Sequence, residues 1–158
     1  MRVELRPATL DDASVVAVVY LRSRKELVAF APLARSDDDV RDYVGGRLIP
    51  LGQTTVAVVD GQVVGLMAVS RTDGVGWIEH LYLHPAWVRR GIGTRLLEQA
   101  RRQLSPPIRL YTFQDNHAAR AFYERHGFVA IAYGDGSGNE ERCPDVLYEW
   151  RLEQAPRR

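Results

Sequence analysis

At 158 residues the chain suits one compact domain, large enough to bury most of its apolar surface without covalent staples. Hydrophobic content of 46% and charged content of 26% are ordinary for a soluble globular protein, and a net charge of +1 offers no excess of Lys and Arg for wrapping nucleic acid. The single cysteine, Cys143, excludes an internal disulfide framework and a multi-cysteine zinc site; it lies in the polar turn Glu141-Arg142-Cys143-Pro144 and reads as incidental. Met1–Arg6 has no apolar signal region and no apolar run approaches membrane-spanning length, so a reducing, cytoplasmic setting with no membrane partner is expected.

From the start, Val3-Glu4-Leu5-Arg6 alternates at period two and stops at Pro7, which predicts a strand. Thr9-Leu10-Asp11-Asp12 resembles a capping box with early negative charge, so a helix carrying Ala13, Val16, Ala17 and Tyr20 follows. Ser36-Asp37-Asp38-Asp39 opens a second, short helix that should end near Gly45-Gly46. Thr54–Val59, Val63–Arg71 and Val75–Leu83 are apolar, β-rich runs. They are separated by Asp60-Gly61 and Asp73-Gly74, both suited to hairpin turns, and predict an antiparallel meander that ends at His84-Pro85. Gly91–Leu104 reads as a helix with an apolar stripe of Ile92, Leu96, Leu97 and Ala100. Ile108–Phe113 is a further strand, Asn116–His126 a helix with Gly127 as its C-cap, and Val129–Tyr133 and Val146–Leu152 closing strands. Residues 1–153 thus read as one domain and 154–158 as a frayed tail. The order β-α-α-β-β-β-α-β-α-β-β predicts an α/β fold: a central mixed, mostly antiparallel twisted sheet flanked by helices on both faces.

The segment richest in chemistry is Trp77-Ile78-Glu79-His80-Leu81-Tyr82-Leu83-His84-Pro85, followed by Ala86-Trp87-Val88-Arg89-Arg90-Gly91-Ile92-Gly93-Thr94. A strand runs through a short loop holding two glycines and straight into a helix. Helix N-termini leave backbone N–H groups unpaired, glycines let a phosphate approach them, and the helix dipole favours an anion by about 0.3–1 kcal/mol. With Arg89 and Arg90 adding charge, a pyrophosphate site is predicted. A Walker loop would need a Gly-Lys-Ser/Thr ending, which is missing. A dinucleotide fingerprint would need a third glycine where Leu96 stands.

Over nearly its whole length, element order included, the chain resembles the GNAT acetyltransferases. Arg90-Gly91-Ile92-Gly93 matches their acyl-CoA loop, Gln/Arg-x-x-Gly-x-Gly/Ala, and Asn116-His117-Ala118-Ala119-Arg120-Ala121-Phe122-Tyr123-Glu124-Arg125-His126-Gly127-Phe128 matches their downstream helix. The family's Gln/Arg falls at Val88, which shifts phosphate binding toward backbone amides and the neighbouring arginines. The resemblance implies acetyl-CoA as co-substrate, an amine as acceptor and no metal. It implies that Arg89, Arg90, Gly91, Ile92, Gly93 and Thr94 bind the diphosphate. Leu81 and Leu83 would pair through their backbones with the pantetheine arm, with Tyr82 between them. Asn116 would contact the pantetheine end, and Tyr123 would lie near the sulfur. Read from the residues alone, Asn116 is equally a helix cap and Tyr123 a core aromatic.

The implied reaction is direct attack of a primary amine on the thioester in a ternary complex. Glu79 is the first candidate for the base. Strand alternation places it with Trp77 and Leu81 on one face, a carboxylate among apolar neighbours where desolvation would raise its pKa. The competing reading is a cross-strand partner for an arginine. His80 should face the opposite side, His84 should be structural or solvent-facing, and His117 and His126 should lie on helix surfaces. A backbone N–H near Leu83 would stabilise the oxyanion, and the Tyr123 hydroxyl would protonate the departing thiolate. In the family the first two helices and the loop between the last strands shape the acceptor pocket, here Tyr20–Asp42 and Gly134–Asp145. Glu140 and Glu141 favour a cationic amine, whereas Arg22, Arg24 and Lys25 favour a carboxylate-bearing one. Amino acid, polyamine, antibiotic and peptide N-terminus therefore stay open. Exposed strand edges admit a homodimer. Two other readings compete: a non-catalytic acyl-CoA-binding sensor or interaction domain with the same fold, and a nucleotide-binding protein, which the missing lysine and third glycine disfavour.

Overall fold

Seven strands and four helices follow the expected order in the computed structural model, which describes residues 1–152. They are β1 (Val3–Pro7), α1 (Ala13–Arg22), α2 (Asp37–Tyr43), β2 (Thr54–Val59), β3 (Gln62–Thr72), β4 (Val75–Leu83), α3 (Ile92–Gln103), β5 (Ile108–Phe113), α4 (His117–Arg125), β6 (Val129–Gly134) and β7 (Asp145–Trp150). The tail expected at 154–158 lies outside the described residues. All strands join one sheet in the order β1-β2-β3-β4-β5-β7-β6, antiparallel at every pairing except β4 with β5.

Local chemistry accounts for most boundaries. Asp60 and Gly61 have φ of 51° and 77°, and Asp73 and Gly74 have 52° and 78°. These paired left-handed residues make the tight turns that twist with the flanking strands of β2–β3 and β3–β4. Thr9 and Asp12 form a capping box before α1, as do Ser36 and Asp39 before α2, where the Asp39 N–H donates to Ser36 Oγ at 3.0 Å. Gly45-Gly46 does not end the second helix. The chain continues as a π-helical turn over Val44–Leu48 because Val44 and Leu48 bury against α1, which outweighs the roughly 1 kcal/mol that each glycine costs in a helix.

The sheet separates two apolar cores. On one face, Val16, Val19 and Tyr20 of α1 and Val40 of α2 pack against Val56, Val58 and Leu66. On the other, Ile92, Leu96, Leu97 and Ala100 of α3 and Tyr123 of α4 pack against Ala57, Met67, Ile78 and Leu110. Covered on both faces, β2 from Val56 to Val59 and the middle of β3 are apolar without alternation.

The feature that positions the site is a parting of strands. β4 and β5 pair only at Gly76–Ile108 and Trp77–Arg109. Beyond that point β4 stays on β3 and β5 stays on β7 as far as Phe113–Asp145. The parting coincides with a bulge in β4: Ala68 faces His80 and Val69 faces Ile78, so Glu79 is the extra residue. A bulge bends its strand and steepens its twist, which carries β4 away from β5.

Candidate active site

The wedge between β4 and β5 holds a cavity of about 680 Å³. One wall is the open edge of β4. The His84 N–H donates to Val64 O at 2.8 Å, so alternation along the strand turns the backbone N–H and C=O of Leu83 and Leu81 away from β3 and toward the cavity. With β5 absent there, this edge is free to pair with an extended ligand. The Leu81 and Leu83 side chains meanwhile pack into the α3/α4 core.

The strand leads into the loop through a short turn, Pro85–Trp87, capped by His84, whose Nδ1 accepts from the Ala86 N–H at 3.1 Å. His84 Nε2 lies 2.9 Å from Arg22 Nη1, so its role is structural. Arg89 at φ 61° and Gly91 at φ 83° are both left-handed, winding the backbone tightly just before α3 so that successive N–H groups converge. The first N–H taken up by the helix is that of Arg95, on Gly91 O at 3.2 Å. Those of Ile92, Gly93 and Thr94 have no intrahelical partner. The Ile92 side chain is fully buried, which anchors the helix start. A Cβ on Gly93 would stand 3.4 Å from Phe122 Cζ, so glycine there permits close approach of α3 to α4.

Side chains around the loop are partly committed. The Arg90 guanidinium lies 4.7 Å from the Trp87 ring centroid, while Arg89 is exposed and lines the cavity. His126 is half-buried and not free on the helix surface. Its Nδ1–H donates to Phe122 O at 2.8 Å, leaving Nε2 to accept from the Thr94 hydroxyl at 3.2 Å and tie α3 to α4. Only the Thr94 backbone therefore remains for a ligand.

Farther along, Asn116 caps α4, its Oδ1 accepting from the Ala119 N–H at 3.2 Å, and it also lines the cavity. Tyr123 is buried, set edge-on to Phe122 and Phe128 with centroids 5.2 and 5.7 Å away. Its hydroxyl has no hydrogen-bond partner among the described residues. Burial, then repulsion from Tyr82, pushes its pKa up, so it stays protonated. Both readings of each residue coexist: Asn116 is a cap and Tyr123 is a core aromatic, and both border the cleft.

Glu79 departs from the expected placement. The bulge breaks alternation, so Ile78, not Glu79, shares the α3/α4 side with Leu81. Glu79 is exposed and lines the cavity, with Oε1 accepting from Ser70 Oγ at 2.9 Å. The apolar enclosure expected around it is absent, and so is the expected arginine. His80 lines the cavity too. Its Nε2 lies 2.9 Å from Tyr43 Oη and its Nδ1 3.4 Å from Tyr82 Oη. Burial, reinforced by the charge of Arg24, lowers its pKa to about 4, so it is neutral near pH 7. Tyr82 faces α1, its ring 4.8 Å from that of Tyr20.

Sequence reasoning did not single out the opposite wall, Tyr111, Thr112 and Phe113 of β5, nor the buried position of Arg24. Val16, Tyr20 and Arg24 recur every four residues along the buried face of α1 and of the π-helical turn Ser23–Leu27 that continues it, a spacing that points Arg24 inward despite its charged neighbours. Of the other charged residues near the acceptor side, Lys25 pairs with Asp37 and Arg35 with Glu140, both on the surface. Among the described residues no group of three His, Cys, Asp or Glu is placed to hold a metal, and no helix is long and apolar enough to cross a membrane.

Residues 24–128 match the Acetyltransferase (GNAT) family. An uncharacterised N-acetyltransferase of Archaeoglobus fulgidus is 30% identical, with 87% of this chain and 99% of that protein aligned. The peptidyl-lysine N-acetyltransferase YiaC of Escherichia coli is 29% identical over 60% of this chain and 61% of its own. The crystal structure of the PaiA N-acetyltransferase of Thermoplasma acidophilum in complex with coenzyme A superposes with a TM-score of 0.74 at 20% identity, covering 96% of this chain and all of that one (100%). An open β4 edge leading into a helix start with unpaired backbone amides, on a chain matched this broadly, identifies the protein as a member of the GNAT family and an acetyl-CoA-dependent N-acetyltransferase.

Proposed function

We propose that the enzyme transfers acetyl from acetyl-CoA to a primary amine of a small molecule or peptide by direct attack in a ternary complex. The observation that carries the reading is the parting of β4 from β5. It puts an unpaired strand edge, the start of α3 and the free hydroxyl of Tyr123 on one cavity. The Ile92, Gly93 and Thr94 amides, with Arg89, Arg90 and the left-handed backbone at Gly91, hold the diphosphate. The Leu81 and Leu83 backbones hold the pantetheine arm, flanked by Tyr82 and reaching Asn116. The Leu83 N–H stabilises the charge that develops on the carbonyl oxygen.

As the amine nitrogen bonds to the acyl carbon, the carbon–sulfur bond breaks. Of the two protons the ammonium gives up, one reaches solvent by way of Glu79. Tyr123 delivers its hydroxyl proton to sulfur, and the second ammonium proton returns to the Tyr123 oxygen, which leaves the enzyme as it began. Glu79 is solvent-connected, which suits a group that must return its proton each turnover. Peptidyl-lysine, on which the Escherichia coli relative acts, falls within this acceptor range. The proposed setting is the cytoplasm, where a lone half-buried thiol such as Cys143 stays reduced. Exposure of Val129, Ile131 and Tyr133 on the edge strand β6 supports association as a homodimer, which sedimentation at several concentrations tests.

The decisive assay is free-thiol release from acetyl-CoA across a panel of amines. Tight acetyl-CoA binding without release from any amine would favour the non-catalytic sensor instead.

A further inference from the structure

Three basic residues between the end of α1 and the start of α2 are spoken for. Arg22, Lys25 and Arg35 are exposed and pair with Glu26 at 2.6 Å, Asp37 at 2.7 Å and Glu140 at 2.5 Å. Arg24 differs. It is 6% exposed and lines the cavity, its guanidinium 5.6 Å from the Phe113 ring centroid. Its Nη2 donates to Ala31 O at 2.9 Å, the Glu141 carboxylate stands 3.6 Å off, and Nε is buried with no partner. A guanidinium offers five N–H donors in a rigid fork, and a buried donor left unmade forfeits its hydration without return. Glu141 is only a loose counter-ion. It also borders a second cavity of about 510 Å³, which meets the first along Tyr111–Phe113.

We propose that Arg24 selects an acceptor amine that also carries a carboxylate, which completes the guanidinium's donor set beside Phe113. The proposal rests on the acetyl-transfer reading above and narrows its acceptor to free amino acids and related amino carboxylates. Two carboxylate oxygens match the edge of a guanidinium, whose 3.6 Å contact with Glu141 is an ion pair too long to be a hydrogen bond. A phosphate dianion would bring a second negative charge beside Glu141, and a polyamine would set cations against a buried cation. A peptide N-terminus or peptidyl lysine has its carboxyl tied up as an amide and lacks the handle.

The test uses the full chain with the proteinogenic L-amino acids, their amides and their decarboxylated amines, and β-alanine against aminoethyl phosphate. Thiol release is read at saturating acetyl-CoA. For the accepted side chain the free acid should exceed its amide in kcat/KM by about tenfold or more, the scale of one charged hydrogen-bonded contact. Arg24→Gln should bring that ratio close to one by raising KM for the acid. Calorimetry with acetyl-CoA reports whether the variant is folded. If it is not, Glu141→Gln reads the same contact, since removing the competing carboxylate should lower KM for the acid severalfold. Titrating the acids into the protein–CoA complex reads binding without turnover. Arg24-dependent binding of an acid, with no thiol released from any amine, would sink acetyl transfer and leave the carboxylate site standing. Amides or amines that match the acids in both assays, or a preference for aminoethyl phosphate, would overturn the proposal and leave Arg24 as a structural partner of Glu141.

Discussion

Replacing Gly91 by alanine separates the two demands on the loop, backbone conformation and anion binding. Gly91 caps α3 at φ 83°, ψ 0°, a region where a Cβ costs about 1–2 kcal/mol. No heavy atom lies within 4 Å of that Cβ, so no clash adds to the strain. For a chain of 158 residues each kcal/mol shifts Tm by about 2–4 °C, so Gly91→Ala should melt about 2–8 °C below the parent. The effect on acetyl-CoA should be larger. Relaxing φ at the cap turns the first free amides of α3 off their common focus, and one lost hydrogen bond to a charged group is worth about 1.5–3 kcal/mol. That weakens Kd by about 10–150-fold. Calorimetric titration and thermal melting on one preparation read both quantities. Gly93→Ala is the contrast. Its Cβ meets Phe122 at 3.4 Å, while alanine gains about 1 kcal/mol of helix propensity over glycine, so the two effects oppose and stability should stay near the parent. Undiminished acetyl-CoA affinity in Gly91→Ala would refute the assignment of the diphosphate to the start of α3.

Tyr123→Phe should leave Tm within about 2 °C, because the hydroxyl has no hydrogen-bond partner among the described residues, while kcat for thiol release falls by about 10²–10⁴-fold. An unchanged kcat would remove Tyr123 from the chemistry. Glu79→Gln should lower kcat/KM by about 10²-fold or more, and Ser70→Ala, which frees the carboxylate from its one hydroxyl donor, by less. A parental rate in Glu79→Gln would shift the base to His80 or to water. Asp12 accepts from both terminal nitrogens of Arg6 at 2.8 and 2.9 Å, and these bonds, opposed by burial and aided by the Thr9 N–H, hold its pKa at about 2 against an ordinary 3.8. A depressed carboxylate contributes stability that is present above the unfolded pKa and lost as pH falls through the folded one. Asp12→Asn should therefore cost about 2 kcal/mol in urea melts at pH 7 and progressively less between pH 4 and pH 2. A cost that persists unchanged at low pH would mean that packing, not charge, is what the variant loses.

How far the fold was legible depends on how local its causes are. Asp60-Gly61 and Asp73-Gly74 announce their turns because their left-handed backbone is a property of two residues. Gly91 is legible for the same reason. Arg89 is left-handed as well, and nothing in an arginine signals it. Gly45-Gly46 misled because the apolar contacts of Val44 and Leu48 with α1 are tertiary. The Glu79 placement failed on a single assumption, that the ladder between β3 and β4 is unbroken; one unpaired residue inverts every face assignment before it. Arg24 offered its charge to sequence reading but not its burial: beside Ser23, Lys25 and Glu26, only its four-residue spacing from Tyr20 betrays the inward direction.

The bulge also explains why the Arg89–Thr94 loop identifies the donor and is silent about the acceptor. After it, Leu81 and Leu83 face the α3/α4 core while His80 and Tyr82 face α1 and α2. In the proposed reading the donor is gripped by backbone: the β4 edge and the first amides of α3, whose geometry depends on glycines and a strand end and so leaves a short motif. The acceptor, as proposed, would meet side chains from the other face and from the far loop, such as Arg24 and Glu141, which are 117 positions apart in sequence and joined only by the fold. Substitutions there change no strand pairing and no helix cap. Acceptor specificity is therefore free to vary without disturbing donor binding, and no local pattern in the chain can report it.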